Sequence, residues 1–283
     1  MTSGVPYAEV IGDPIAHSKS PLIHNFWLAK LGIEAEYRAT RVERDGLASF
    51  FAERRRDPRW RGCNVTMPLK LAAPALLDDH RLPDQADEPV NLVTCRDGRL
   101  KGTNTDVVGL LEPLRTLDAR RLTLVGKDKA SAPRSAVVLG SGGVLHSVVR
   151  VLKSLGYRPI TIVARSEEKM RALLGATGRD IAYLPWGSAL PPADLLVNAT
   201  PLGMVGHATM PYDAGSLRKD AILFEMIYQP LVTPLLAGAR ARGLRLVDGL
   251  QMLVAQAAPS FEALFGTAPP RDHDAALRAL LTA

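Results

Sequence analysis

The sequence predicts an α/β protein of two layered domains, and three observations carry that prediction. Short apolar and β-branched runs alternate with longer amphipathic ones along the chain, the pattern of strands joined by helices. Apolar runs end on glycine, as at Gly12 and Gly140, where a strand turns toward a helix start. The length of 283 residues favours two domains at ~150 residues each.

Taken in order, Ala8–Gly12 reads as the first strand. Ser20-Pro21 reads as an N-cap with proline at the first helical position, and that helix runs toward Leu31 and stops at Gly32. Glu36–Ala39 reads as a strand, Gly46–Arg54 as an amphipathic helix, Gly62–Thr66 as a strand and Leu69–Leu77 as a helix. Val90–Cys95 and Leu100–Thr103, separated by Asp97-Gly98, read as a hairpin. A helix begins at Asp106 and meets Pro113, and the polar stretch 114–134 carries no assignable pattern. A second series follows, with strands at Ala136–Gly140, Ile160–Ala164, Leu195–Ala199, Ile222–Met226 and Leu244–Asp248. Helical runs between them make this a doubly wound parallel sheet. The tail from Leu250 to Ala283 is helical with a break at Ala268-Pro269-Pro270. The expected domains are 1–105 with 250–283, and 106–249.

Composition narrows the functional classes. Hydrophobic residues at 47% and charged residues at 23%, with a mean hydropathy of +0.03, describe a soluble globular chain with a sizeable core. A net charge of +6 raises the question of nucleic acid. The densest basic run, Arg54-Arg55-Arg56 with Arg59 and Arg61, has only Trp60 interleaved and no recognition motif. It reads as a solvated helix end, so no nucleic-acid partner is expected. A basic surface suits a phosphorylated cofactor and a carboxylate substrate. Cys63 and Cys95 form no CxxC pair, and the six histidines show no ligand spacing. A reduced, cytoplasmic compartment and no metal are therefore expected. The N-terminus lacks a signal pattern, and no apolar run approaches the ~20 residues that span a bilayer. No membrane partner is expected.

Two short stretches carry the chemistry. Asn64–Lys70 and Asn104-Thr105-Asp106 each follow a strand and each end on an ionisable side chain. A lysine and an aspartate at strand ends of an α/β layer are ingredients of proton transfer at a hydroxyl. Downstream, Gly140-Ser141-Gly142-Gly143 lies between an apolar strand and a helix start. Glycines there let backbone approach a pyrophosphate, which the helix N-terminus attracts. The full G-x-G-x-x-G fingerprint is absent, because Leu145 holds the third glycine's place, and a glycine turn of no binding role stays open. The next strand ends at Arg165-Ser166, where an NAD-preferring domain places Asp or Glu. Arginine at that point accommodates the extra phosphate of NADP. Ser166 can cap the following helix, and Lys169 is either a second cation toward that phosphate or an ordinary solvated residue.

Together these features describe a dehydrogenase, and the motifs in order resemble one family. Gly12-Asp13-Pro14-Ile15-Ala16-His17-Ser18-Lys19-Ser20-Pro21 with His24-Asn25 is similar to the N-terminal signature of shikimate dehydrogenases. Asn64–Lys70, Asn104-Thr105-Asp106, Asn198-Ala199-Thr200-Pro201, Met226–Pro230 with Thr233–Leu236, and Gly249–Gln256 resemble further motifs of the family in the same order. The resemblance covers residues 9 to about 262.

The resemblance implies an N-terminal substrate domain closed by the C-terminal helices, and a Rossmann-like NADP domain between them. It implies that Ser18 and Ser20 hold a substrate carboxylate, that Thr66, Asn91, Asp106 and Gln256 bind ring hydroxyls, and that Lys70 sits at the reacting oxygen. Tyr228 would lie near substrate and nicotinamide, with Gly249 and the Asn198, Ala199 and Thr200 turn facing the cofactor. The implied reaction is hydride transfer between NADPH and 3-dehydroshikimate, giving shikimate, by a monomer or homodimer. A structural role stays open for each residue: Ser18 or Ser20 as a helix cap, Lys70 with Asp106 as a salt bridge. The chain also departs from the family's usual residues. Leu92 follows Asn91 where a threonine is usual, removing a hydroxyl expected beside the substrate, and Glu225 stands where aspartate is usual. A quinate or other cyclic hydroxy-acid dehydrogenase is the alternative. A non-catalytic ligand sensor is a further one, against which Lys70 and Asp106 argue.

Overall fold

Two sheets organise the chain. The computed structural model describes residues 4–79, 89–125 and 134–283, and these divide into two compact units. One comprises the residues up to Asp106 together with Gln256–Ala283, the other Val107–Ala255.

In the first unit, β1 (Tyr7–Gly12) is buried at every position, because both faces of its sheet are covered and no polar alternation is needed. Tyr7 and Ile11 face one cluster with Phe50, Phe51, Trp60, Cys63 and Val65. Ala8 and Val10 face another with Tyr37, Leu92 and Leu264. The remaining strands are β2 (Glu36–Arg41), β3 (Trp60–Val65), β4 (Leu92–Arg96) and β5 (Arg99–Thr103), in the order β2-β1-β3-β4-β5. β2 and β3 run parallel to β1, whereas β4 and β5 form an antiparallel hairpin beside β3. The hairpin turns at Asp97 (φ 50°) and Gly98 (φ 72°), the two positive φ values that an Asp-Gly turn of type I′ requires. Glu9 is buried on β1 and is answered by Arg54 Nε at 2.9 Å and the Thr40 hydroxyl.

Helix α1 (Ser20–Leu31) stops at Gly32 (φ 65°), as expected, but Ser20 is its first helical residue rather than its cap. Lys19 holds the cap position, and the Ser18 hydroxyl accepts the Ser20 N–H at 3.3 Å. Helix α2 (Leu47–Arg54) buries Leu47, Phe50 and Phe51. The helix expected over Leu69–Leu77 does not form: turns lead to a short 3-10 helix at Ala73–Leu76. An α-helix would need residue 74 to donate to the Lys70 carbonyl. Pro74 has no N–H, and that carbonyl accepts from Val90 N–H at 3.0 Å instead.

Helix α3 (Asp106–Val125) continues through Pro113. Leu110 and Leu114 flank the proline and are each 1% exposed. Burial stabilises by about 1.5–3 kcal/mol for each leucine, enough to offset the ~3 kcal/mol cost of an interior proline. Residues 126–133, part of the stretch without a sequence assignment, lie outside the described residues.

In the second unit, β6 (Arg134–Leu139), β7 (Tyr157–Ala164), β8 (Ala182–Pro185), β9 (Ala193–Asn198), β10 (Leu217–Glu225) and β11 (Arg245–Val247) form a wholly parallel sheet, in the order β11-β10-β9-β6-β7-β8. The short β8, half-exposed at the edge, has no buried apolar run to mark it in sequence. Helices α4 (Leu145–Ser154), α5 (Glu167–Leu174) and α6 (Pro234–Ala241) connect the strands. α6 starts on Thr233, whose hydroxyl accepts the Leu236 N–H at 3.1 Å. Helices α7 (Gly249–Phe265) and α8 (Asp274–Thr282) end the chain, with a 3-10 turn at Arg271–His273. The strand order reverses between β6 and β9, and ligands of open α/β sheets bind outside the carboxyl ends of strands at such a point.

Candidate active site

In the first unit, a chain of polar side chains gathers at the carboxyl end of β3 and the turn between β5 and α3. Lys70, in the turn after β3, donates from Nζ to Asp106 Oδ2 at 2.6 Å. The lysine side chain is 17% exposed and the aspartate 5%, so the lysine keeps access to solvent while the carboxylate is almost enclosed. Asp106 opens α3, and its N–H is taken by Asn104 Oδ1 at 2.9 Å. Asn104 is itself tied by Nδ2 to the Pro89 carbonyl at 2.8 Å. Asn91, buried just before β4, donates from Nδ2 to Asp106 Oδ1 at 2.8 Å and to Thr105 Oγ1 at 3.0 Å. Its Oδ1 accepts the Thr105 N–H at 2.6 Å. Both oxygens of Asp106 are thus held, one by an amide and one by an ammonium. Charge-assisted bonds of this kind are roughly twice as strong as neutral ones.

The other expected substrate residues share this unit. Gln256, half-buried on α7, lies with Oε1 3.3 Å from Thr105 Oγ1 and 3.5 Å from Asn91 Nδ2. Thr66 is half-buried directly after β3, and its N–H is held by the Ile11 carbonyl at 2.9 Å. Ser18 is half-buried and Ser20 buried at the start of α1. Leu92 corrects the sequence expectation. Its side chain is 1% exposed and packs with Val10, Tyr37 and Leu264, on the opposite side of the strand from Asn91 as strand alternation requires. A threonine there would bury its hydroxyl in an apolar cluster rather than present it to a ligand.

Tyr37 and Ser260 had no functional reading from sequence, and Asn64 stood only as the first residue of its motif. Tyr37 Oη donates to Asn64 Oδ1 at 2.7 Å, and Asn64 Nδ2 donates to Ser260 Oγ at 2.9 Å and to the Asn91 carbonyl at 3.1 Å. Ser260 Oγ lies 3.1 Å from Thr105 Oγ1. The one available signal was spacing: Ser260 follows Gln256 by four residues, which places both on one helix face.

The second unit carries the expected cofactor residues beyond the carboxyl ends of its strands. Gly140 ends β6 with φ 102°, and a Cβ there would lie 2.7 Å from Thr200 Cγ2 and 3.1 Å from the Ala199 carbonyl oxygen. Glycine is therefore required on both conformational and steric grounds. A Cβ on Gly142 or Gly143 would meet nothing within 4 Å, so this part of the turn forms an open cradle ahead of α4, where Ser141 is half-buried. No side chain caps α4 at Val144, and the Leu145 N–H at its start donates to the Gly142 carbonyl at 3.0 Å. At the end of the neighbouring β7, Arg165 is exposed. Ser166 caps α5 by accepting the Lys169 N–H at 3.1 Å, and Lys169 is exposed. The open glycine cradle ahead of a helix start and the arginine fit a dinucleotide with an additional phosphate.

Asn198, fully buried, is spent on shaping the turn after β9. Its Oδ1 accepts from Thr200 N–H at 3.0 Å and from the Thr200 hydroxyl at 2.8 Å, and its Nδ2 donates to Glu225 Oε1 at 2.8 Å. Tyr228 is half-buried in the loop after β10. At Gly249 a Cβ would lie 2.5 Å from the Met226 and Ile227 carbonyl oxygens, so α7 can start there only without a side chain.

Glu225 joins these segments. Its Oε1 also accepts the Ile227 N–H at 3.2 Å, and its Oε2 accepts from the Thr233 hydroxyl at 2.9 Å. Burial pushes its carboxyl up from an ordinary value of 4.5 to about 7, outweighing the donated bonds. Between these values the folded chain keeps a proton that the unfolded chain has lost. Folding stability from this group therefore falls as pH rises from about 4.5 to about 7. Glu225→Gln should lack that slope, which urea unfolding of both proteins across the window measures. Equal slopes would mean that Glu225 ionises normally.

Among the described residues, no group of three or more His, Cys, Asp or Glu side chains gathers as a metal site, and no helix is long and apolar enough to cross a membrane.

Comparison with known proteins gives the same picture. The family model for the shikimate dehydrogenase substrate binding domain matches residues 10–93. The shikimate dehydrogenase (NADP(+)) of Sphingopyxis alaskensis is 46% identical over 279 residues, covering 98% of this chain and 97% of that protein. That of Afipia carboxidovorans is 41% identical over 287 residues, covering 99% and 98%. The crystal structure of shikimate 5-dehydrogenase from Thermus thermophilus in complex with NADP(H) and shikimate superposes with a TM-score of 0.81 at 33% identity, covering 98% of this chain and all of that one. With its α/β architecture of a mixed sheet and a wholly parallel one, the chain belongs to the shikimate dehydrogenase family.

Proposed function

We propose that this protein is an NADP-dependent oxidoreductase interconverting 3-dehydroshikimate and shikimate. The observation that carries the reading is the Lys70–Asp106 pair, 2.6 Å apart and fixed from behind by Asn91, in a chain 46% identical to a shikimate dehydrogenase (NADP(+)).

NADP(H), when bound, supplies or receives the hydride. Gly140, Ser141, Gly142 and Gly143 would cradle its pyrophosphate, and Arg165 would meet the 2′-phosphate. Asn198, Ala199, Thr200 and Gly249 would shape the remaining wall, and Lys169 would add positive charge. The protein's own chemical task is one proton at one oxygen. In reduction, the Lys70 ammonium donates from Nζ to the oxygen that would otherwise become an alkoxide, a charge that a fixed cation stabilises. Asp106 Oδ2 aims that ammonium and balances its charge. In oxidation the hydroxyl proton returns to the pair, which acts as a unit. Ser18 and Ser20 hold the substrate carboxylate through their hydroxyls, Thr66 and Gln256 meet ring hydroxyls, and Asn91 acts mainly by holding Asp106. Tyr228 would border the nicotinamide.

A cytoplasmic setting is supported by the two thiols, which stay unpaired, with Cys63 buried and Cys95 half-buried. Incubating the protein with shikimate and NADP and following nicotinamide absorbance tests the reading. Reduction of NADP is expected, and its absence would overturn the proposal.

A further inference from the structure

Ser260 is wholly buried on α7, and the preceding assignments leave it without a function. Its hydroxyl meets three groups: Asn64 Nδ2 at 2.9 Å, the Gln256 carbonyl oxygen at 3.2 Å and Thr105 Oγ1 at 3.1 Å. A hydroxyl has one proton to give. The carbonyl can only accept, and the amide nitrogen can only donate. Asn64 therefore donates to Ser260 Oγ, and the Ser260 proton has the Gln256 carbonyl oxygen and Thr105 Oγ1 within reach. The Asn91 carbonyl, which can only accept, takes the other Asn64 Nδ2 proton at 3.1 Å and fixes that amide, with Tyr37 Oη donating to its Oδ1 at 2.7 Å.

The contacts continue toward the pair. Thr105 Oγ1, held against Ser260 Oγ, accepts from Asn91 Nδ2 at 3.0 Å. The second Nδ2 proton goes to Asp106 Oδ1 at 2.8 Å, while Asn91 Oδ1 takes the Thr105 N–H at 2.6 Å. A continuous run of hydrogen bonds thus links Ser260 through Thr105 and Asn91 to Asp106 Oδ1, and Asp106 Oδ2 is left for Lys70. Without the Ser260 oxygen, the Thr105 proton has two other acceptors, Gln256 Oε1 and Asn91 Oδ1, each at 3.3 Å. Removing the Ser260 oxygen takes away the shortest hydroxyl contact that holds the Thr105 side chain beside Asn91.

We propose that Ser260 is a positioning residue for the reaction, fixing through Thr105 and Asn91 the orientation of the Asp106 carboxylate that aims Lys70. The inference rests on the proton-transfer reading of Lys70 and Asp106 given above. Its effect is of the size of one neutral hydrogen bond. Ser260→Ala should lower kcat about 2- to 10-fold with KM for shikimate changed by less than about 2-fold.

The experiment is a pairing with Lys70→Ala. If Ser260 acts through the pair, Ser260→Ala should cause no further loss of kcat in the Lys70→Ala protein. An equal loss in both backgrounds would mean that Ser260 only supports folding, and a rise in KM at unchanged kcat would assign it to substrate binding; either overturns the inference, as does unchanged kcat. Should the alanine variant not fold, Ser260→Cys retains the volume with a weaker donor and acceptor, and the same comparison applies to it. A Lys70→Ala protein with undiminished kcat would remove the underlying reading itself, a result separate from any behaviour of Ser260.

Discussion

Lys70→Ala is expected to lower kcat by ~10²–10⁴, the usual contribution of a positioned acid–base group, with a much smaller change in substrate affinity. The ammonium lies 2.6 Å from a carboxylate that is 5% exposed and accepts a second bond from Asn91, and among the described residues no second cation pairs with Asp106. Asp106→Asn should also reduce kcat. It replaces the carboxylate that aims the ammonium by a neutral amide, whose NH₂ opposes either Lys70 Nζ or Asn91 Nδ2. Because the two residues act on the same proton, the double variant should lose no more than about the larger single loss. Steady-state kinetics of the three variants measure this. Near-normal turnover in Lys70→Ala would make the pair a structural salt bridge.

Arg165→Ala is expected to weaken NADP binding by about 10- to 100-fold, the worth of a hydrogen bond to a charged group, and to leave NAD almost unchanged. Arg165 is exposed at the end of β7, one residue before the cap of α5. Ala164, which ends β7, is 1% exposed, so no acidic side chain at that strand end is available for the ribose hydroxyls of NAD. Fluorescence titration with both cofactors discriminates the roles. An equal loss for NADP and NAD would mean that Arg165 only supports the loop, whereas selective loss ties it to the 2′-phosphate.

The sheets were legible in sequence where burial is uniform. Apart from β8, the strands of the second unit are apolar runs ended by glycine or a polar turn, and β6, β7, β9 and β10 lie where those runs predicted. Local chemistry also sufficed for the Asp97-Gly98 hairpin and for the Ser166 and Gly32 helix ends. What failed depended on partners far along the chain. Leu69–Leu77 has helical composition, but Val90 claims the Lys70 carbonyl, and nothing near residue 70 announces that. Pro113 reads as a helix end until the burial of Leu110 and Leu114 is known. The site shows the same division. Lys70 and Asp106 were identifiable because motif and strand end coincide, whereas Tyr37 and Ser260 enter the network only when β2, β3 and α7 converge. Leu92 was misjudged because its sequence neighbour Asn91 is in the site, while strand alternation sends its own side chain into the core.

The most direct test of the proposed activity is kcat/KM for shikimate and for quinate, each measured with NADP and with NAD. An additional ring hydroxyl needs a partner when it is desolvated, and one left unpaired costs about 1–3 kcal/mol. Shikimate with NADP should therefore give the highest value of the four. Faster turnover of quinate with either cofactor, or an inert shikimate while another cyclic hydroxy acid reacts, would contradict the assignment and make this chain a dehydrogenase for a related substrate.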